Sequence, residues 1–135
     1  MIELSKEKPY EDACKILGLR PVANYKSYKL TDETRNFIKL ETVAKALNEG
    51  WKPTTIDPKE VRYYVWGWNY TDNRKSSGLL YVYSTDGLGA ADAFVGTSLE
   101  FKDRDTAKEF ARMCKPMIVK YLFGRDDHEN FKFDF

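Results

Sequence analysis

Histidine is nearly absent from this chain of 135 residues: the only one is His128, near the end. A Ser-His-Asp or Cys-His arrangement would have to be built on that one residue. No serine sits in a Gly-x-Ser-x-Gly setting, so nucleophilic hydrolysis is not expected. Cysteine is also scarce. Cys14 and Cys114 fall where helices are expected, among aliphatic and aromatic neighbours, and read as two buried thiols rather than a disulfide. No His-x-x-x-His, Cys-x-x-Cys or calcium-loop spacing occurs, so no metal or other cofactor is expected. Asp126-Asp127-His128-Glu129 has ligand-type side chains, but consecutive residues rarely converge on one ion, and a polar tail is the simpler reading.

Long apolar runs are missing too. Nothing approaches the roughly 18 apolar residues of a membrane span, so no membrane association is expected. The first eight residues, Met1 to Lys8, do not resemble a signal peptide. The expected location is therefore cytoplasmic. An excess of either charge is lacking: 22 Lys+Arg stand against 21 Asp+Glu, interspersed, for a formal net charge of +1. Such a balance does not favour a polyanionic partner. Gly87-Leu88-Gly89 lacks the third glycine of a dinucleotide loop and leads into a strand candidate, so it reads as a turn. Glu100, Asp103 and Asp105 could imitate paired catalytic acids, but Asp103 and Asp105 are well placed as helix caps.

What the chain has in quantity is aromatic surface. Five rings fall within Tyr63-Tyr64-Val65-Trp66-Gly67-Trp68-Asn69-Tyr70. Alternation along a strand puts Tyr64, Trp66, Trp68 and Tyr70 in one row. Four such rings amount to about 600–1,000 Å², too large a patch to stand idle in water. The row is either the floor of the core or a ligand surface. Core is the preferred reading for the two tryptophans, with β-strand register as the deciding unknown. A second strand adds Tyr81 and Tyr83 on one face and Leu80 and Val82 on the other.

The remaining elements follow from their periodicities. Pro9–Gly18 reads as a short helix with proline in its first turn, acids at its positive end and a glycine stop. Thr31 or Asp32 can cap a longer helix to about Glu49, with Phe37, Leu40, Ala44 and Leu47 as its stripe and Gly50 ending it. Trp51 can pack back on the last turn. Strands are expected over Val61–Tyr70, Leu79–Ser84 and Ala93–Phe101, joined by the polar loop Thr71–Gly78 and a turn at Asp86–Gly89. The last helix, opened by Asp103 or Asp105, carries Ala107, Phe110, Ala111, Cys114, Met117, Ile118, Tyr121 and Leu122. Pro116 inside it predicts a kink or break near Arg112–Lys115. The fold class expected is α+β: one domain over 1–135, order ααβββα, in two layers, with a three-stranded antiparallel meander packed by helices. The core is expected over about 9–123. The tail from 124, alternating charge with Phe131, Phe133 and Phe135, is either a flexible end or an added edge strand.

Several stretches together resemble a group of small phage- and prophage-encoded proteins of gut bacteria. They are Tyr10-Glu11-Asp12-Ala13-Cys14 with Leu17-Gly18, then Ala46 to Pro53, Tyr63-Tyr64 with Trp66, Gly96 with Leu99 and Phe101-Lys102, and Ala107 with Phe110. Gly50-Trp51-Lys52-Pro53 and Tyr63-Tyr64-x-Trp66 are the most specific. The resemblance implies a mobile-element origin and a shared fold; it supplies no reaction and no catalytic residues.

The function expected is therefore a non-enzymatic interaction protein binding an unknown macromolecular partner, most simply a protein, through an aromatic sheet face. Its candidate residues are Tyr64, Trp66, Trp68, Tyr70, Tyr81 and Tyr83, with Arg74 and Lys75 beside them. The alternatives are single-stranded nucleic-acid binding, with Arg62, Arg74, Lys75 and Lys102 near the phosphates, and carbohydrate binding on the same rings.

Overall fold

A computed structural model describes residues 2–21, 30–53, 60–69, 78–86 and 97–135. Three helices, α1 (Pro9–Leu17), α2 (Asp32–Asn48) and α3 (Arg104–Phe123), accompany three strands, β1 (Val61–Trp68), β2 (Gly78–Asp86) and β3 (Phe131–Phe133). The class is α+β. Among the described residues no helix is long and apolar enough to cross a membrane.

Local chemistry sets the helix ends. Pro9 occupies the first turn of α1, and Gly18 closes it at φ 69°, a left-handed conformation natural to glycine. Thr31 caps α2: its Oγ1 accepts from the Thr34 N–H at 3.1 Å. This helix stops one residue before its expected end, because Glu49 itself turns left-handed at φ 49° ahead of Gly50. The Trp51 N–H then donates to the Asn48 carbonyl at 2.9 Å, turning the indole back toward α2. Trp51, Pro53, Ile16 and Ala46 line a cavity of about 530 Å³ there. Asp103 caps α3 by accepting from the Thr106 N–H at 2.8 Å. The kink expected from Pro116 falls at Cys114, whose φ of −113° and ψ of 18° leave the helical region.

The sheet has the order β1-β2-β3. β1 and β2 pair antiparallel, as expected for a hairpin. β3 runs parallel to β2, with Gly78 opposite Phe131 and Leu80 opposite Phe133, so the expected all-antiparallel meander is corrected to a mixed sheet. The third strand expected over Ala93–Phe101 can be followed only in its second half, and there it is not a strand. Residues 91–96 lie outside the described ones, Thr97–Leu99 form a 3-10 turn, and Phe101 alone bridges Tyr63 on the outer edge of β1. The tail supplies the third full strand in its place, which settles the choice between a flexible end and an edge strand in favour of the latter. The turn residues 87–89 and the loop residues 71–77 lie outside the described residues.

α3 lies across the sheet, α2 packs beside α3, and α1 packs on α2. Val65 on β1 shares a small gap with Leu40 of α2 and Phe110 and Ile118 of α3, so the odd-numbered face of β1 is the one the helices cover. Gly67 on that face has no room for a side chain: a Cβ would stand 2.5 Å from the Leu79 carbonyl oxygen and 3.3 Å from Phe123 Cζ. Phe101 and Phe110 meet at 4.8 Å between ring centres in the fully buried centre. Cys14 and Cys114 are free and buried, and burial pushes the Cys114 thiol up to about 12, leaving it a packing group at neutral pH.

The tail is fastened at several points. Phe131 is 1% exposed and stacks on Phe123 at 5.2 Å, while the Asp134 N–H donates to the Leu80 carbonyl at 2.7 Å. Arg125 donates from Nη1 to the Asn69 side-chain oxygen at 2.7 Å and from Nε to Asp127 at 2.7 Å, and lies over the Phe131 ring at 4.7 Å. The Asp127 carboxylate also accepts from Asn130. These donors, Arg125 first and Asn130 second, hold the Asp127 carboxyl well below the usual carboxylate range.

Two outcomes follow for this end of the molecule. Phe131→Ala should lower unfolding free energy by about 3–5 kcal/mol in urea denaturation, as for a ring lost from a closed core. Because Asp127's folded pKa is depressed, its stabilising contribution is complete above the unfolded value near 3.9 and disappears as pH falls through the folded one. The stability difference between the parent protein and Asp127→Asn, measured from pH 7 downward, should hold constant to about pH 4 and then shrink.

Candidate functional site

The pairing of β1 with β2 decides where the aromatic residues go. Tyr64 stands opposite Tyr83, Trp66 opposite Tyr81, and Trp68 opposite Leu79, while Val65 is opposite Val82 and Gly67 opposite Leu80. Directly opposed residues point to the same side of a sheet. Val65, Val82 and Leu80 therefore meet the helices, and Tyr64, Trp66, Trp68, Tyr81 and Tyr83 gather on the other face. The preferred expectation of core for both tryptophans is corrected for Trp68, which is exposed; Trp66 is half-buried and packs against the core, from the face away from the helices. The helices already have an aliphatic floor, and the alternation of β1 sends its even-numbered rings away from it.

Within this face burial is graded. Tyr64 is only 5% exposed, Trp66 and Tyr81 are half-buried, and Trp68 and Tyr83 are 54% and 53% exposed. The rings touch one another: Tyr64 and Tyr83 lie 5.6 Å apart and tilted, and Tyr81 meets Tyr83 edge-on at 6.3 Å. β3 continues the face at its border. Lys132 is opposite Leu79 in the parallel pairing and is exposed, so an ammonium stands beside the aromatic row. Tyr70, Arg74 and Lys75, the other candidate residues, lie outside the described residues.

The same face holds a feature that sequence reasoning missed. Arg62, two residues before Tyr64, pairs with Glu100 through Nε at 3.0 Å, and both side chains are fully buried. Arg62 was expected beside the phosphates in the nucleic-acid reading; buried and paired, it is out of reach of any such ligand. Glu100, weighed as a paired acid, neutralises Arg62 instead, and Asp103 caps α3. The backbone around Glu100 is equally fixed: its carbonyl accepts from Asn48 Nδ2 at 3.0 Å, and Phe101 exchanges backbone hydrogen bonds of 3.0 and 2.7 Å with Tyr63. The ion pair thus ties β1 to the chain end of α2 and to the entry of α3. Desolvating two charges costs several kcal/mol per ion, so such a pair contributes specificity of arrangement more than net stability.

The polar tail cluster resolves into structural pairs. Asp126 accepts from Lys120 at 2.9 Å and Asp127 from Arg125; His128 sits beside Glu129 at 3.9 Å. Among the described residues no group of three or more His, Cys, Asp or Glu is placed to hold a metal ion. Chemically, the aromatic face can stack on or bury a ligand.

No protein-family model, curated protein or solved structure matches the chain.

Removing one partner of the buried pair leaves the other charge stranded. Glu100→Gln should cost about 3–5 kcal/mol of stability in chemical denaturation. Arg62→Met combined with Glu100→Leu should recover most of that loss, since a neutral pair carries no desolvation cost.

Proposed function

We propose that this chain is a non-enzymatic interaction protein of phage or prophage origin that binds a macromolecular partner through its aromatic sheet face. The observation that carries the reading is the exposure of Trp68 and Tyr83, each more than half open, on the face that the helices leave uncovered. Large rigid rings bury area at small entropic cost, which is why they dominate interface hot spots. Tyr64 and the Arg62–Glu100 pair lie buried beside them and hold the strand that presents them. Such a protein works in the cytoplasm of the bacterium that carries the element, and its partner there is a protein.

Trp68→Ala and Tyr83→Ala test the reading, since both side chains are exposed and should leave the thermal transition in place. Affinity capture from a bacterial lysate, followed by titration of the identified partner, should show binding to the parent. Each single variant should bind about tenfold or more weakly, the size of a hot-spot loss. Equal binding by parent and double variant would remove the aromatic face from the account. Saturable binding of oligothymidine or cello-oligosaccharides that is lost in the same variants would replace the protein partner with a stacked ligand.

A further inference from the structure

On the helical side, away from the aromatic face, α2 and the carboxyl-terminal half of α3 border an open cleft of about 560 Å³. Arg35 and Lys39 from α2 and Lys120 from α3 line it, with Asp32 and Asp126 as the opposing charges, so one positive charge remains over. The carboxylates are not distributed evenly. Asp126 binds Lys120 at 2.9 Å, and the charges of Asp126, Glu33 and Asp32 all act to raise the pKa of that same lysine. Lys120 is therefore neutralised by its own neighbours.

With Lys120 paired to Asp126, Arg35 and Lys39 together face Asp32 alone. They stand one helical turn apart on α2, hence on the same side of it. Arg35 Nε is closed to solvent and donates no hydrogen bond among the described residues. Lys39 lies over the Tyr10 ring at 5.6 Å, a contact that orients the ammonium without cancelling its charge. What Arg35 offers the cleft is the rest of its guanidinium, whose fork of donors and fixed charge match two oxygens of a phosphate or carboxylate. The cleft wall opposite is different in kind: Pro116 and Met117 present apolar surface where α3 leaves its kink. Asn36 holds the two walls together by donating to the Met117 carbonyl at 2.9 Å, so the cleft is built rather than incidental.

We propose that this cleft binds a small organic phosphate, its anionic group held by Arg35 and Lys39 and its neutral body resting on Pro116 and Met117. The site is independent of the aromatic face and stands or falls separately from it.

Phenyl phosphate, inorganic phosphate and potassium chloride at matched ionic strength, titrated into the isotope-labelled full chain by NMR, test the proposal. Phenyl phosphate should shift the Arg35 Nε–H and Met117 resonances saturably, with a dissociation constant on the order of 1 mM or tighter. Inorganic phosphate should bind the same residues more weakly, and chloride should not reproduce the shifts. Arg35→Gln and Lys39→Gln, each checked for an unchanged thermal transition, should weaken binding about tenfold, whereas Lys45→Gln elsewhere on α2 should not. Absence of saturable shifts, or shifts that persist unchanged in both cleft variants, would overturn the proposal.

Discussion

The register between β1 and β2 is the constraint on which the rest of the structure depends. Side chains alternate with a period of two, so moving one strand by a single residue would exchange its two faces. The observed pairing sets Val65 against Val82 and Gly67 against Leu80, and that row is what α3 covers. Gly67 makes the arrangement selective, because only a residue without a Cβ lets Leu80 and Phe123 approach this closely. Every other consequence descends from this choice: the aliphatic row goes to the helices, and the aromatic row must go to the other side.

The buried Arg62–Glu100 pair reinforces the same choice from the opposite face. A slipped β1 would carry a guanidinium toward the apolar helix layer, where no carboxylate awaits it among the described residues. An unpaired charge there would cost far more than a lost contact, so the pair acts against the alternative register even where it adds little net stability. Asn48 and Tyr63 hold the Glu100–Phe101 backbone in place to receive Arg62. The acid thus belongs to the scaffold, and the strand it steadies carries Tyr64, Trp66 and Trp68.

Much of this was legible in the residues, and the gaps have physical causes. Helix ends were readable because their signals are local: Thr31, Asp103 and Gly18 each satisfy or redirect nearby backbone groups. The kink at Cys114 followed from the missing N–H of Pro116. Phe131, Phe133 and Phe135 showed strand alternation in the tail, yet a three-residue strand is held by its tertiary setting, here Phe123 and the edge of β2, and not by propensity. The aromatic row was visible at once, but its face was not, since register across the loop between the strands is a long-range property. Arg62 looked like one more surface cation because nothing near it in sequence announces Glu100, thirty-eight positions later.

The edges of the sheet bear on how the proposed partner would meet it. Exposed strand edges invite another chain to add on through backbone hydrogen bonds. On β1 the outer groups of Tyr63 are taken by Phe101. On β2 the Leu80 carbonyl accepts from the Asp134 N–H, and the Val82 carbonyl, which the strand repeat places on the same edge, accepts from Arg104 Nη1 at 3.0 Å. Arg104 is itself held over the Tyr63 ring at 5.1 Å, so a side chain from the first turn of α3 closes an edge that β3 is too short to cover. These contacts obstruct strand addition at Tyr63 on one side of the β1–β2 pair and at Leu80 and Val82 on the other. The exposed rings of Trp68 and Tyr83 stand on the broad face, where the proposed partner would meet side chains rather than strand edges.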